Sequence, residues 1–225
     1  MGALPSDDGA WGHEKPRHEV TINSDMIVMK YPVTQKVYKG VMGCNPSRFK
    51  SLDRPVECVS WYDAVMFANA LSALFGLSAA YEINGDSVVC DWSSNGWRLP
   101  TEAEWEYLAR GGEEHLYAGS DDIDSVAWYR GNSGNGTHPV GQKQANGFGL
   151  YDMSGNVFEW CWDWYGGYSS GSVTDPRGPS SGSVRLRRGG SWSSVAGNAR
   201  ASYRLSGDPS YRNDRLGFRF LRRKN

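Results

Sequence analysis

Between residues 113 and 182 the chain shows almost no periodic pattern. Only Phe148-Gly-Leu-Tyr151 and Val157-Phe-Glu-Trp-Cys-Trp-Asp-Trp164 interrupt a stretch that otherwise reads as loop. Connections of that length are uncommon inside a compact domain unless something else holds them. The ten tryptophans, twelve tyrosines and 28 glycines point to what does: large rings bury much area apiece, and glycine permits tight turns. A loop-rich fold pinned by aromatic packing is expected, and a helical bundle is not.

The regular elements lie outside that stretch. Residues 5–18 read as an irregular arm, and Glu19 to Met29 as one or two strands around Asn23-Ser24-Asp25. Thr34 opens a short helix to Met42. Ser60 opens the clearest one, with Trp61, Ala64, Val65, Ala68, Leu71 and Phe75 at helical spacing, Asp63 in its first turn and Gly76 as its stop. Tyr81 to Ile83 and Val88 to Asp91 form a hairpin about Asn84-Gly85. Thr101 and Glu104 make a capping box for a helix that Gly111-Gly112 ends. Val184 to Arg188, Ala199 to Arg204 and Gly217 to Arg222 read as the strands of a small antiparallel sheet.

A chain of 225 residues is long enough to bury a sizeable core, and with no linker and no repeat it is expected to be a single domain, 1–225. A formal charge of -1 creates no global field toward nucleic acid or an anionic membrane. No apolar run approaches the roughly 20 residues of a membrane span, and the start carries no basic, apolar leader. Cys44, Cys58, Cys90 and Cys161 contain no C-x-x-C pair and read first as isolated core thiols, with one or two disulfides or a zinc site as alternatives. His13, His18, His115 and His138 have no ligand spacing on a helix and read as loop or surface residues.

From Ser193 to Arg215 the chain again loses its period, between the strings RRGGSW and LGFRF. An apolar and arginine frame around a small, polar, aromatic-spotted middle is what a scaffold presenting a surface requires.

NPSRF (45–49), RPVECVSWYDAV (54–65), RLPTEAEWEYLARGG (98–112), NGFGLYDMSGNVFEW (146–160), RRGGSW (187–192) and LGFRF (216–220) together resemble the formylglycine-generating enzyme, or sulfatase-modifying-factor, family. The resemblance covers nearly the whole chain in the family's order. It implies an α+β, C-type lectin-like fold, loop-rich, with two or three helices and small antiparallel sheets. The family's enzyme binds copper through two cysteines beyond RGGSW, and soft thiolates suit Cu(I). Those places here hold Ser194 and Ala199, so copper oxidase chemistry is not expected, and an oxidase or accessory domain acting on a protein substrate is the alternative reading.

The resemblance extends to the variable proteins of diversity-generating retroelements, which keep this scaffold and bind ligands through a hypervariable end. Randomised adenines there turn asparagine-type codons into others, and Lys, Glu, Gln, Met and Trp never result. Ser193 to Arg215 contains none of those five. With the variable region at about 185–220, the family's pattern implies these variable places: Ser193, Ser194, Val195, Gly197, Asn198, Tyr203, Leu205, Ser206, Gly207, Asp208, Ser210, Tyr211, Asn213, Asp214 and Arg215. Tyr203, Tyr211 and Leu205 are the expected hot spots, since a few large anchors usually carry binding. Trp192, Ala196, Ala199, Arg200, Ala201, Arg204, Pro209, Arg212, Leu216 and Phe218 would be frame. The resemblance also implies one structural calcium held by Asp152, the Gly155 and Val157 carbonyls and Glu159, oxygen donors of the kind calcium takes; closure by hydrogen bonds alone is the alternative. The expected protein is a non-enzymatic, monomeric display protein, exported to the cell surface, binding a protein or other cell-surface ligand and no nucleic acid. Any membrane attachment would come from a lipid anchor outside this sequence.

Overall fold

The computed structural model describes residues 1–224. In chain order its elements are β1 (Val20–Thr21), β2 (Met26–Val28), α1 (Gln35–Met42), α2 (Trp61–Leu74), β3 (Tyr81–Asn84), β4 (Ser87–Cys90), α3 (Glu102–Arg110), α4 (Ile123–Val126), β5 (Ala127–Trp128), β6 (Ser154–Gly155), β7 (Phe158–Trp164), β8 (Val173–Thr174), β9 (Arg185–Arg188), β10 (Arg204–Gly207), β11 (Leu216–Gly217) and β12 (Leu221–Arg223).

The helix starts follow from local chemistry. Ser60 Oγ accepts from the Asp63 amide at 3.0 Å while Asp63 accepts from the Ser60 amide at 2.8 Å. Thr101 and Glu104 repeat this reciprocal cap at 3.2 and 2.8 Å. The Thr34 hydroxyl caps α1, and Gly111 ends α3 at φ 61°, where a residue with a Cβ would be strained. α2 ends at Leu74, one residue short of the last apolar position in its spacing. Phe75, expected on the buried face, is instead the C-cap residue and is exposed.

Four strands form the central sheet in the order β10-β9-β7-β11. The sheet expected to be antiparallel is mixed, because β11 runs parallel to β7. The predicted strand Ala199 to Arg204 is not one: Ala196–Ala199 form a 3-10 turn, and pairing with β9 begins only at Arg204. The predicted strand 217–222 is divided between β11 and β12. β1 and β2 do not pair with each other; β1 joins β8, and β2 joins β12. The β3–β4 turn is Gly85-Asp86, one residue later than expected. Within the long loop region, α4 was not foreseen, and Phe148 to Tyr151 forms no regular element.

β7 explains how so much irregular chain is held. Phe158 and Trp160 face the α2 cluster with Trp61, Phe67, Phe218 and Phe220, whereas Cys161 belongs to the α3 cluster with Trp105, Met153 and Leu186. Alternation along one strand thus joins two cores. Three fully buried indoles fasten it: Trp61 donates to the Cys161 carbonyl at 3.0 Å, Trp160 to the Val59 carbonyl at 3.1 Å, and Trp105 to Glu159 at 2.8 Å. Each buries a large ring without orphaning its N–H.

The residues 5–18 arm, expected to be irregular, contains a 3-10 turn at Gly12–Glu14 and buries Asp7 and Glu14 against the C-terminal half. Next to it, Arg188 donates to Glu102 at 3.1 Å, Glu106 at 2.6 Å and the carbonyls of Ala201 and Ser202 at 2.8 and 3.0 Å. Burial alone would raise the Glu106 carboxyl, but Arg188 and Arg110 hold it below its ordinary value.

Asp163 is the exception. It accepts from the Glu102 amide at 2.8 Å, yet burial, reinforced by the Glu102 charge, pushes its pKa well above 3.8. A carboxyl raised on folding favours the native state when protonated, so its contribution is complete below pH 3.8 and is lost as pH rises toward the folded value. Asp163→Asn is therefore expected to be more stable than the wild type at pH 7 and no more stable near pH 3. The gain in melting temperature is roughly 2–4 °C for each kcal/mol of unfavourable charge removed. Equal melting curves at pH 7 would show that Asp163 carries no such burden.

Candidate functional site

The segment 193–215 runs through a 3-10 turn and the edge strand β10, with irregular chain between and after them, and is held near its ends by Trp192. The Trp192 amide donates to the Asn156 carbonyl and its indole to the Asp214 carbonyl, at 2.8 and 2.9 Å, while its ring meets Phe49 edge-on at 5.4 Å. The loop's start is a tight turn in which Ser194 Oγ accepts from the Ser191 amide at 3.0 Å. Its second half follows the entry of α2: the Trp61 and Cys58 amides donate to the Pro209 and Asn213 carbonyls. Arg212 pairs with Asp63 at 2.7 and 2.9 Å.

Underneath, three arginines hold the backbone. Arg188 grips the carbonyls of Ala201 and Ser202. Arg204 forks onto Glu102 at 2.5 and 2.7 Å. Arg200 pairs with Asp7 and with both oxygens of Glu14, at 2.8 Å each for the latter. Bidentate, charge-assisted bonds of this kind fix geometry as well as adding energy. The sequence pattern of frame residues anticipated Arg200 and Arg204, but not their acidic partners, which lie far away in the chain.

Among the places implied to vary, Val195, Gly197, Asp208, Ser210, Tyr211 and Arg215 are exposed. Ser193, Asn198, Leu205, Ser206, Gly207, Asn213 and Asp214 are half-buried. Two are corrected. Ser194 is 7% and Tyr203 8% exposed, so neither presents its side chain outward. The Ser194 hydroxyl is consumed by the turn, and Tyr203 packs edge-on against His13 of the arm at 6.1 Å. Arg212, assigned to the frame, is exposed but held by its ion pair. Exposed side chains here also satisfy one another: Ser210 donates twice to Asp208, holding that carboxyl below its ordinary pKa.

Residues outside the segment complete the face. Arg48 pairs with Asp214 at 2.6 Å, Phe49 backs Trp192, and Arg187 reaches over Tyr211. Sequence reasoning passed over these three because they belong to strings that carried the family resemblance rather than to the aperiodic segment.

The four cysteines are unpaired. Burial pushes the Cys58 and Cys90 thiols up to about 12, and Cys161 well above its ordinary value. None of these three is a ready thiolate, the form a soft metal binds. With Ser194 in a turn and Ala199 buried, the face has no soft ligand at the two places where the family's enzyme has cysteines.

Of the donor set implied for calcium, both carboxylates already have protein partners. Glu159 already pairs with Arg219 at 3.0 Å. That guanidinium also reaches the carbonyls of Met29, Lys30 and Tyr151 at 3.0, 2.9 and 2.6 Å. One of the two implied carboxylates is thus answered by an arginine. Asp152 accepts from the Gly141 amide and from Asn156 at 2.8 and 3.2 Å, and burial raises its pKa. A divalent ion would have to compete with these partners for both carboxylates, and hard cations need several oxygens at once. Adding a chelator to purified protein is accordingly expected to move its melting temperature by less than about 1 °C, since only binding to the native state stabilises it. A larger fall that calcium reverses would restore the calcium reading.

The arrangement defines a class: an α+β scaffold of the C-type lectin-like type, with buried ion pairs supporting an exposed, irregular C-terminal face. The chain belongs to the sulfatase-modifying-factor family, since residues 1–224 match the sulfatase-modifying factor enzyme 1-like domain. Among solved structures it is similar to Treponema denticola variable protein 1, with a TM-score of 0.88 and 37% identity over 92% of this chain and 87% of that one. It is 39% identical over 236 residues to the chaperone protein LppX of Paenibacillus barcinonensis, covering 89% of this chain and 81% of that protein. It is also 35% identical over 187 residues to the formylglycine-generating enzyme of Streptomyces coelicolor, covering 74% of this chain and 52% of the enzyme. The chain therefore spans about half the length of that enzyme.

Proposed function

We propose that this is a non-enzymatic display protein. It acts as an exported monomer at the cell surface and binds a protein or other surface ligand through residues 193–215, whose exposed side chains are diversified by a retroelement. The observation that carries this reading is the division of labour in the segment. Its backbone is held from beneath by Arg188, Arg200, Arg204 and Trp192, while Val195, Asp208, Ser210, Tyr211 and Arg215 keep their side chains in solvent. Outward chemistry can then change without loss of shape. The similarity to a Treponema denticola variable protein supports the reading, and Ser194 and Ala199 in place of the family enzyme's cysteines argue against oxidase turnover.

The test is a library in which the exposed and half-buried places are randomised and Ser194 and Tyr203 are kept. Most members are expected to fold, because surface substitutions away from special features usually change stability by no more than about 0.5 kcal/mol each. Panning on several unrelated immobilised proteins is expected to yield target-specific binders. Collapse of most members into unfolded protein, or copper-dependent oxygen uptake by the wild type on a cysteine peptide, would end the proposal.

A further inference from the structure

Among the described residues, Arg187 is the arginine of this face that has no carboxylate partner. It lies in β9 opposite Leu205 and Trp160, so its side chain runs along the α2 side of the sheet toward the displayed loop. Its guanidinium carbon is 5.4 Å from the Phe158 ring centroid and 5.7 Å from that of Tyr211. Among the described residues it makes no ion pair, and its Nε is buried with no hydrogen-bond partner. Every neighbouring arginine differs: Arg48 has Asp214 at 2.6 Å, Arg212 has Asp63 at 2.7 Å, and Arg215 has Asp214 at 3.7 Å.

Gly207 lies against Arg187 from β10, where a Cβ would rest in ordinary contact with the guanidinium carbon at 3.7 Å. A half-buried cation left unmatched is a cost that folding alone does not explain. A planar fork flanked by two rings has the donors for a carboxylate and a surface for the flat group carrying it. Burial, the nearby Arg215 charge adding to it, holds the Arg187 pKa below its ordinary value, consistent with a missing counter-charge.

We infer that Arg187, backed by Phe158 and in this variant of the loop by Tyr211, forms an anion subsite beneath the displayed loop that takes a carboxylate of the ligand. This rests on reading 193–215 as the binding face. It adds that part of the affinity comes from a residue of the sheet, common to all variants of the loop, and that ligands carrying an accessible carboxylate are favoured.

The probe is benzoate, with benzamide as its neutral counterpart, titrated into the isotopically labelled wild-type chain while the Arg187 Nε–H and Trp192 Nε1–H resonances are followed. Benzoate is expected to shift the Arg187 signal saturably, with benzamide at least tenfold weaker, and Arg187→Gln is expected to weaken benzoate by a similar factor as read at Trp192. Equal responses to the two probes, or no saturable response to benzoate, would overturn the subsite. If Arg187→Gln does not fold, the wild-type comparison of the two probes still decides the matter. Failure of benzoate with successful panning of the library removes only the subsite. Failure of the library with benzoate bound leaves a fixed anion site on a face that does not vary.

Discussion

Arg188→Met is expected to lower stability by about 3–5 kcal/mol, the usual cost of removing one partner from a buried ionic cluster. For a chain of this size that corresponds to a fall in melting temperature of roughly 6–20 °C. Arg188 is fully buried and faces two buried glutamates, Glu102 and Glu106. Methionine fills much of the volume but leaves Glu102 with Arg204, and Glu106 with Arg110, as the remaining guanidinium partner, and leaves the Ala201 and Ser202 carbonyls without their donor. The double change Arg188→Met with Glu106→Gln should recover part of the loss, because one under-compensated charge is gone; a coupling energy near zero in that cycle would mean the pair is not what holds the site. The consequence reaches beyond stability. Those two carbonyls belong to the displayed segment, so its backbone should also exchange amide hydrogens faster.

Glu14→Ala should be nearly as costly, about 3–5 kcal/mol, for the same reason and at a different place. Glu14 is fully buried, takes both oxygens to Arg200 and accepts from the Ser202 hydroxyl at 2.6 Å. Without it, Arg200 keeps only Asp7 as a carboxylate partner. The distinguishing readout is local. Limited proteolysis and hydrogen exchange should increase in residues 5–18 and 196–204 before the two cores open, since the arm and the loop release each other. Uniform loss of protection across β7 and α2 would show instead that the arm is part of the global folding unit.

The arm also shows where sequence reading stopped. The helix starts at Thr34, Ser60 and Thr101 could be read directly because a cap is satisfied within four residues of itself, and the β3–β4 hairpin because its turn is two residues long. Ala199 to Arg204 alternates well enough to suggest a strand, yet Arg200 spends its side chain on Asp7 and Glu14, at sequence separations of 193 and 186 residues. Tyr203 reads as an outward aromatic in a polar stretch. It is buried because His13 and the rest of the arm lie against it. The calcium set reads as complete within a local string, but its Glu159 is engaged by Arg219, which lies 60 residues further on.

What the amino-acid sequence determined alone is the set of short-range elements, the tryptophan-anchored and loop-rich character of the chain, and the frame against which residues 193–215 are read. Each rests on interactions within a few residues, or on composition. Tertiary structure alone decided which of those residues face water, which acids answer the arginines beneath them, and that Arg187 is left without an answer. Ion pairing and burial depend on partners brought together from opposite ends of the chain, and no local pattern encodes a partner more than a hundred residues away.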